Sequence, residues 1–334
     1  MGSVVASGRV GRGPAASVVG VDIGGTKLLA VALEATGEIA AEVQVPAPSS
    51  TGVAVSVTAA VREVTGGREP DAVGVGLPAL VDRSGVVRFS AHLPGLVGLE
   101  LAGSLAVSLP GAVCWVGNDA TAAVWAEHDR GTATGADDVV MVTLGTGIGG
   151  GVIAGGRLVE GANRYAGEIG HMVVDPHGPR CPCGKQGCWE RYASGSGLGR
   201  LGREMAVAGQ VPLVVALAGG DPEAVRGEHV TAAAASGDDA AAEVMSRFAW
   251  WLALGLANLA NAFDPEVIVL GGGLIGAGEV LMGPTRRAFA DLVEAAATRG
   301  KLRIEPAALG QRAGAVGAAL LAAGNPSGCP GGLR

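Results

Sequence analysis

The chain has 334 residues, 49% of them apolar, which is enough for one large or two smaller domains with a sizeable core. Its 31 acidic and 24 basic residues leave a net charge of −7, which excludes a strongly basic surface of the kind that selects nucleic acid or an anionic membrane. No apolar run reaches the ~18 residues of a membrane span, since the richest stretch, Phe248 to Phe263, carries Asn258 and Asn261 and suits a buried helix.

Residues 1–17 contain two Arg but no apolar core of a secretory signal, so a disordered extension and a cytoplasmic protein are expected. Ser17 to Asp22 reads as an apolar strand running into Asp22-Ile23-Gly24-Gly25-Thr26-Lys27, and Leu28 to Leu33 as the return strand. A third strand is expected near Ala40 to Val45, then a helix over Val53 to Val64. Ala72 to Gly76 is a strand, Val86 to Ser90 a hairpin arm, and Glu100 to Ser108 a helix. Ala112 to Val116 is a buried strand with Asn118-Asp119 at its end and a helix behind. Strand, Gly/Thr turn and return strand then recur over Asp138 to Ala154, a weak internal repeat that points to two related α/β lobes with a cleft between them. Helices are expected over Leu198 to Ala208, Asp221 to Arg226, Asp238 to Phe263 and Gly314 to Ala323, with a strand at Val267 to Leu270 and a tail over 325–334.

Three glycine-rich segments each follow a short apolar strand: Gly24-Gly25-Thr26-Lys27, Gly145-Thr146-Gly147 and Gly271-Gly272-Gly273. Without Cβ atoms such backbone comes close to a nucleotide and aims N–H groups at phosphate oxygens, and Thr26, Thr146 and Lys27 add donors. None matches the P-loop or the dinucleotide fingerprint. One such turn alone reads as a tight hairpin; three of a kind, one flanked by Asp22 and Lys27, favour phosphate binding.

Asn118-Asp119 places a carboxylate at the C-terminal edge of a buried strand, where open α/β sheets carry their chemistry. Asp119 there can take the proton of an alcohol as a P–O bond forms, while Asn118 holds a hydroxyl. The competing reading is a helix N-cap. Asp22, beside the first turn, suits a Mg²⁺–water group or is a solvated turn residue.

Three of five cysteines crowd into His171-x9-Cys181-x-Cys183-x4-Cys188, a normal tetrahedral set for structural Zn²⁺ with no open position. Cys114 lies in a strand and Cys329 in the tail. Glu168 and Glu190 flank the cluster, and a zinc that ties this loop down would fix two carboxylates able to read a polyol. Trp115, Trp125, Trp250 and Trp251 read as core or subunit contacts, Trp189 as packing under the loop, and His128, His177 and His229 as surface residues.

Together these segments, with Gly167-Glu168-Ile169-Gly170-His171 and Cys188-Trp189-Glu190, stand in the order of the ROK family of sugar kinases and repressors, which the chain resembles from about Val18 to Ala323, most of all the family's bacterial glucokinases. The resemblance implies a two-lobed actin/hexokinase-like (ribonuclease H-like) α/β fold. The smaller lobe would span 18–120, completed by a helix over 312–324, and the larger 121–311 with a zinc loop at 171–190. It implies Asp119 as base; Asn118, Glu168, His171 and Glu190 on the sugar; zinc on His171, Cys181, Cys183 and Cys188; ATP and Mg²⁺ at the three turns; and a homodimer or homotetramer. Glucose phosphorylated at its 6-hydroxyl is the expected reaction. The chain reads Ala91-His92-Leu93 where many family glucokinases read Pro-Asn-Leu, and Ala79 where Gly is usual. The first departure keeps N-acetylmannosamine, N-acetylglucosamine and glucose-like cyclitols open as substrates. The extension is too short for the DNA-binding domain of the family's repressors, which counts against a non-enzymatic sugar-responsive regulator.

Overall fold

The computed structural model describes residues 18–91, 93–300 and 302–324. The expected N-terminal extension, the tail with Cys329, and His92 lie outside the described residues. The described chain divides into two compact units, one running to Thr134 with Leu158–Gly167 and the stretch from Leu309, the other comprising Gly135–Arg157 and Glu168–Ala308.

The first unit opens with β1 (Val18–Ile23), β2 (Lys27–Leu33), β3 (Ile39–Pro46), α1 (Val53–Val64), β4 (Ala72–Leu77), β5 (Leu80–Val81), β6 (Val87–Phe89), α2 (Leu101–Ser108), β7 (Val113–Asn118) and α3 (Asp119–Arg130). Its five-stranded sheet runs β3-β2-β1-β4-β7, with β5 and β6 pairing as a separate hairpin. β2 runs antiparallel to both β1 and β3, whereas β1, β4 and β7 are parallel. The two central strands are near-continuous Val/Gly runs, as burial on both faces requires. β3 alternates exposed and half-buried residues, as an edge strand does. Register aligns Asp22, Gly76 and Gly117 across the parallel strands, so their C-terminal ends form one edge.

The second unit carries β8 (Val139–Leu144), β9 (Ile148–Ala154), β10 (Arg157–Leu158), α4 (Glu190–Ala193), α5 (Gly195–Val207), α6 (Pro212–Leu217), α7 (Gly227–Ala235), α8 (Asp239–Phe263), β11 (Val267–Gly271), α9 (Glu279–Leu292) and β12 (Arg303–Pro306). Its sheet runs β10-β9-β8-β11-β12, with β8 and β9 antiparallel and β8, β11 and β12 parallel. The repeat seen in the sequence is thus a repeat of strand plan. The expected helix over Asp221 to Arg226 is instead a 3-10 turn, Pro222–Ala224, capped by the Asp221 side chain, and α7 begins only after it. α6 and α9 were not anticipated; α9 holds Gly283 and Pro284 in its interior, residues that read as breakers.

α10 (Ala313–Ala323) closes the first unit. It is built of small residues because it lies against backbone: a Cβ on Gly20 or Gly74 would stand 1.8 Å from the carbonyl oxygen of Ala315 or Ala318. Gly317 meets α3 the same way, 1.7 Å from the Ala122 oxygen. α3 therefore groups with the first unit, which runs to Thr134 and resumes at Leu309. α1 and α2 cover the opposite face, where Val57, Val61, Leu101 and Leu105 pack on β1 and β4.

Candidate active site and metal centre

Of the two residues that could cap α3, the structure uses Asn118. Asn118 has extended backbone and its Oδ1 accepts from Thr121 N at 2.9 Å, so it is the N-cap of α3. That bond uses the amide oxygen and leaves the NH₂ as the donor end of the side chain. Asp119 is the first helical residue, and its Oδ1 accepts from Ala120 N at 2.8 Å, where the helix dipole favours a carboxylate. Its backbone fits closely over β4, since a Cβ on Gly76 would lie 3.2 Å from Asp119 Cα.

Asp22 shares that edge. Burial, and then the negative charge of Asp119, push its carboxyl up to about 7, with Lys27 pulling the other way. Two carboxylates that disfavour each other's ionisation form a setting that a divalent cation would relieve. Gly314 of α10 leaves room for the Asp22 carboxylate, 2.7 Å from where a Cβ would stand. The turn between β1 and β2 is closed by Gly24 N donating to Lys27 O at 2.9 Å, and Gly25 and Thr26 are exposed at its tip. The Lys27 ammonium donates to Gln44 at 3.5 Å and to Gln311.

In the second unit the other two glycine turns come together. Gly145 N donates to Gly147 O at 3.0 Å, closing the β8–β9 turn. Gly272, with φ of +86°, packs so closely that a Cβ would stand 2.4 Å from Leu144 O. Gly271 ends β11 and Gly273 begins a 3-10 turn. The start of α5 joins them: Gly195 N donates to Gly145 O at 2.8 Å, and Ser196 Oγ to Thr146 O at 2.7 Å. Ser194 caps this helix by accepting from Gly197 N at 3.1 Å. A helix N-terminus beside Gly/Thr backbone suits phosphate. The Ser194–Gly197 segment was missed; its signal was an N-cap serine and two glycines ahead of a helical pattern.

The four side chains expected to hold zinc lie together. One ligand atom from each of His171, Cys181, Cys183 and Cys188 lies within 4.8 Å of all the others. Cys183 and Cys188 sulfurs are 3.6 Å apart, and Cys181 Sγ is 3.7 Å from His171 Nδ1. A zinc bound about 2.3 Å from sulfur makes tetrahedral edges of about 3.8 Å, so these residues fit the ion. Burial pushes the Cys181 and Cys188 thiols up, so a cation is what would hold them as thiolates.

His171 Nε2 lies 3.8 Å from Glu168 Oε2, on the side of the ring away from the sulfurs. Glu190 is buried; its Oε1 is 3.1 Å from Cys181 Sγ and 3.7 Å from His171 Nδ1, and its Oε2 accepts from Ile148 N at 3.4 Å. The loop is anchored by Trp189, which is fully buried. Its Nε1 donates to Trp251 O at 2.8 Å and its ring fills the space above Gly255 of α8. Tyr192 stacks on Trp251 at 4.1 Å and donates to Asp175 at 2.7 Å. Trp115 is buried, whereas Trp250 is 43% exposed.

The ROK family model matches residues 18–325. A glucokinase of Streptomyces coelicolor is 37% identical over 309 residues, covering 91% of this chain and 96% of that one. An N-acetylmannosamine kinase of Escherichia fergusonii is 34% identical over 260 residues, 77% of this chain and 82% of that one. Among solved structures, a ROK family glucokinase of Streptomyces griseus in complex with glucose and AMPPNP superposes with a TM-score of 0.82 at 37% identity, covering 92% of this chain and 99% of that one. The fold is accordingly the two-lobed actin/hexokinase-like α/β fold. Matched over nearly its whole described length and carrying the glycine turns and the Cys/His cluster in order, the chain belongs to the ROK family.

Proposed function

We propose that this chain is an ATP-dependent glucokinase that phosphorylates the 6-hydroxyl of glucose with Asp119 as general base. The observation that carries this is the carboxylate edge of the first unit: Asp119 opens α3 next to Asp22, while Asn118 takes over the capping duty. In the reaction the Asp119 carboxylate accepts the 6-hydroxyl proton as that oxygen bonds to the γ-phosphorus, the bond from the γ-phosphorus to the β–γ bridging oxygen breaks, and ADP leaves. Asp22 would hold a Mg²⁺–water group, which neutralises charge developing on the phosphates. We assign nucleotide binding to Gly24, Gly25, Thr26, Lys27, Gly145, Thr146, Gly147, Gly271, Gly272 and Gly273. Asn118 donates to a sugar hydroxyl, and Glu168, His171 and Glu190 contact the sugar.

His171, Cys181, Cys183 and Cys188 would hold a structural zinc, whose role is to fix the loop that carries Glu190. We assign the protein to the cytoplasm as a homodimer or homotetramer. Among the described residues no helix is long and apolar enough to cross a membrane.

Similarity to an N-acetylmannosamine kinase supports a second reading, phosphorylation of an N-acetylhexosamine. A coupled assay with ATP over glucose, mannose, N-acetylmannosamine, N-acetylglucosamine and cyclitols separates the two. Highest kcat/KM on glucose is expected. Highest kcat/KM on an N-acetylhexosamine favours the second reading, and no ATP turnover with any sugar refutes both.

A further inference from the structure

Residues 158–167 leave the second unit and pack with the first, and one of them holds an unusual backbone. Arg164 has φ of +65°, a left-handed conformation that glycine adopts freely and other L-residues resist. Strain of this kind persists where the side chain is used. Here the side chain is only 13% exposed and engaged on three sides. Its Nε donates to Glu160 Oε1 at 2.8 Å, its Nη1 to Val116 O of β7 at 3.3 Å, and its guanidinium lies 5.5 Å from the Trp115 ring centre. Arg83 ties the same loop down by donating to the carbonyl oxygens of Ala162 at 3.1 Å and Gly161 at 2.9 Å. The chain has thus placed an ion pair at a defined spot on β7, next to the residue that caps α3.

Between them lies a small cavity of about 10 Å³ whose walls include Trp115, Asn118, Thr121, Glu160 and Arg164. That is the space of about one water molecule, or of one hydroxyl group. Its polar walls match a hydroxyl in both senses. The Asn118 amide NH₂ and the Arg164 fork donate, and the Glu160 carboxylate accepts.

We infer that Glu160 and Arg164 form a hydroxyl-reading subsite beside Asn118, and that Arg164 is a specificity-determining residue of this kinase. The inference rests on the reading in which Asn118 contacts the sugar. A ring hydroxyl next to the one held by Asn118 enters the cavity, donates to Glu160 and accepts from Arg164. A deoxy sugar leaves that pair facing an empty polar space, which is what makes a hydrogen-bonding site selective.

The test is a hydroxyl-deletion cycle. kcat and KM are measured with ATP for glucose and its 2-, 3- and 4-deoxy analogues, in the wild type, Arg164→Gly and Glu160→Gln. Glycine accepts the left-handed backbone, so Arg164→Gly is expected to fold, and a melting curve checks it. In the wild type one deoxy sugar should lose roughly 10- to 100-fold in kcat/KM through that missing hydroxyl. In Arg164→Gly the penalty for the same sugar should shrink to about 2-fold, carried mainly by KM, while penalties for the other deoxy sugars stay as they were. Glu160→Gln should give an intermediate value. Unchanged penalties for every deoxy sugar in an Arg164→Gly protein that melts like the wild type overturn the subsite and leave the glucokinase reading standing. A wild type that does not turn over glucose overturns the glucokinase reading itself.

Discussion

The two sheets share one strand plan and part company at the strand ends. In each, a first strand pairs antiparallel with the second and parallel with the fourth, in the order three-two-one-four-five. The position that is Asp22 in β1, opposite Gly76, is Thr143 in β8, opposite Gly271. The first unit places carboxylates at its strand ends, Asp22 next to last in β1 and Asp119 directly after β7. The second ends them in neutral, glycine-rich backbone over which a helix N-terminus sits. A repeated scaffold thus carries two sets of strand ends through a few terminal positions, carboxylates beside the Gly24–Lys27 turn in one and neutral glycine backbone beside a helix N-terminus, a setting that favours anions, in the other. The loop that carries the Cys/His cluster belongs to the second unit alone and adds carboxylates of its own, Glu168 beside His171 and Glu190 beside Cys181, placed by that cluster and not by strand ends.

The strongest way to break this comparison is at Asp119. Asp119→Asn should lower kcat by roughly 10²- to 10⁴-fold. Because Asn118 still caps α3, the melting temperature should stay close to that of the wild type, measured by calorimetry. Near-full turnover would remove the chemical distinction between the two strand-end sets.

Next in size is the metal. Purified protein should carry one zinc per chain by elemental analysis. Cys183→Ser should lose it and melt roughly 10 °C lower, taking about 3–5 kcal/mol for a lost metal tie at about 2–4 °C per kcal/mol. KM for the sugar should rise more than KM for ATP, because Glu190 is hydrogen-bonded within the cluster. Unchanged metal content would sink the zinc assignment. In the opposite sense, Gly272→Ala strains a left-handed residue pressed on Leu144 and should destabilise by about 1–3 kcal/mol. Here KM for ATP should rise more than KM for the sugar. Equal shifts in both would erase the division of labour.

What could be read beforehand follows from how local each feature is. The Cys/His cluster lies within 18 positions, from His171 to Cys188, so spacing and residue type pointed to its gathering. The core strands announced themselves as apolar runs ending in glycine. Other features depend on contacts distant in sequence. The seating of Gly272 on Leu144 joins segments that look unrelated, and the return of 158–167 to the first unit has no signal in composition. Whether Asn118 or Asp119 caps α3 was open because both residue types cap well; backbone angles decide it, with Asn118 extended and Asp119 helical. α9 was hidden by Gly283 and Pro284 in its interior, residue types that read as breakers.

The smallest effect is expected at a carboxylate of the first unit that lies away from the strand ends. Asp82 sits in the turn between β5 and β6, a hairpin outside both five-stranded sheets. Burial disfavours its ionised form, but bonds from the Ser84 hydroxyl, the Arg88 guanidinium and the backbone N–H groups of Val86 and Ser84 outweigh this and hold it at about 2. A carboxyl lowered on folding stabilises the protein above its unfolded value near 3.8, and that stability is lost as the pH falls through about 2. Asp82→Ala should therefore cost about 1–2 kcal/mol at pH 7. Asp82→Asn should cost less, since the bonds from Ser84 and Val86 all reach Oδ1, which an amide oxygen can replace, and only the Arg88 contact at Oδ2 is lost. That contact is exposed enough on the Arg88 side to contribute little. Melting curves from pH 7 to pH 2 should bring the wild type down toward the Asn variant, while kcat at pH 7 stays the same in all three proteins. A kcat loss at Asp82 would mean that the first unit's chemistry reaches beyond its strand ends.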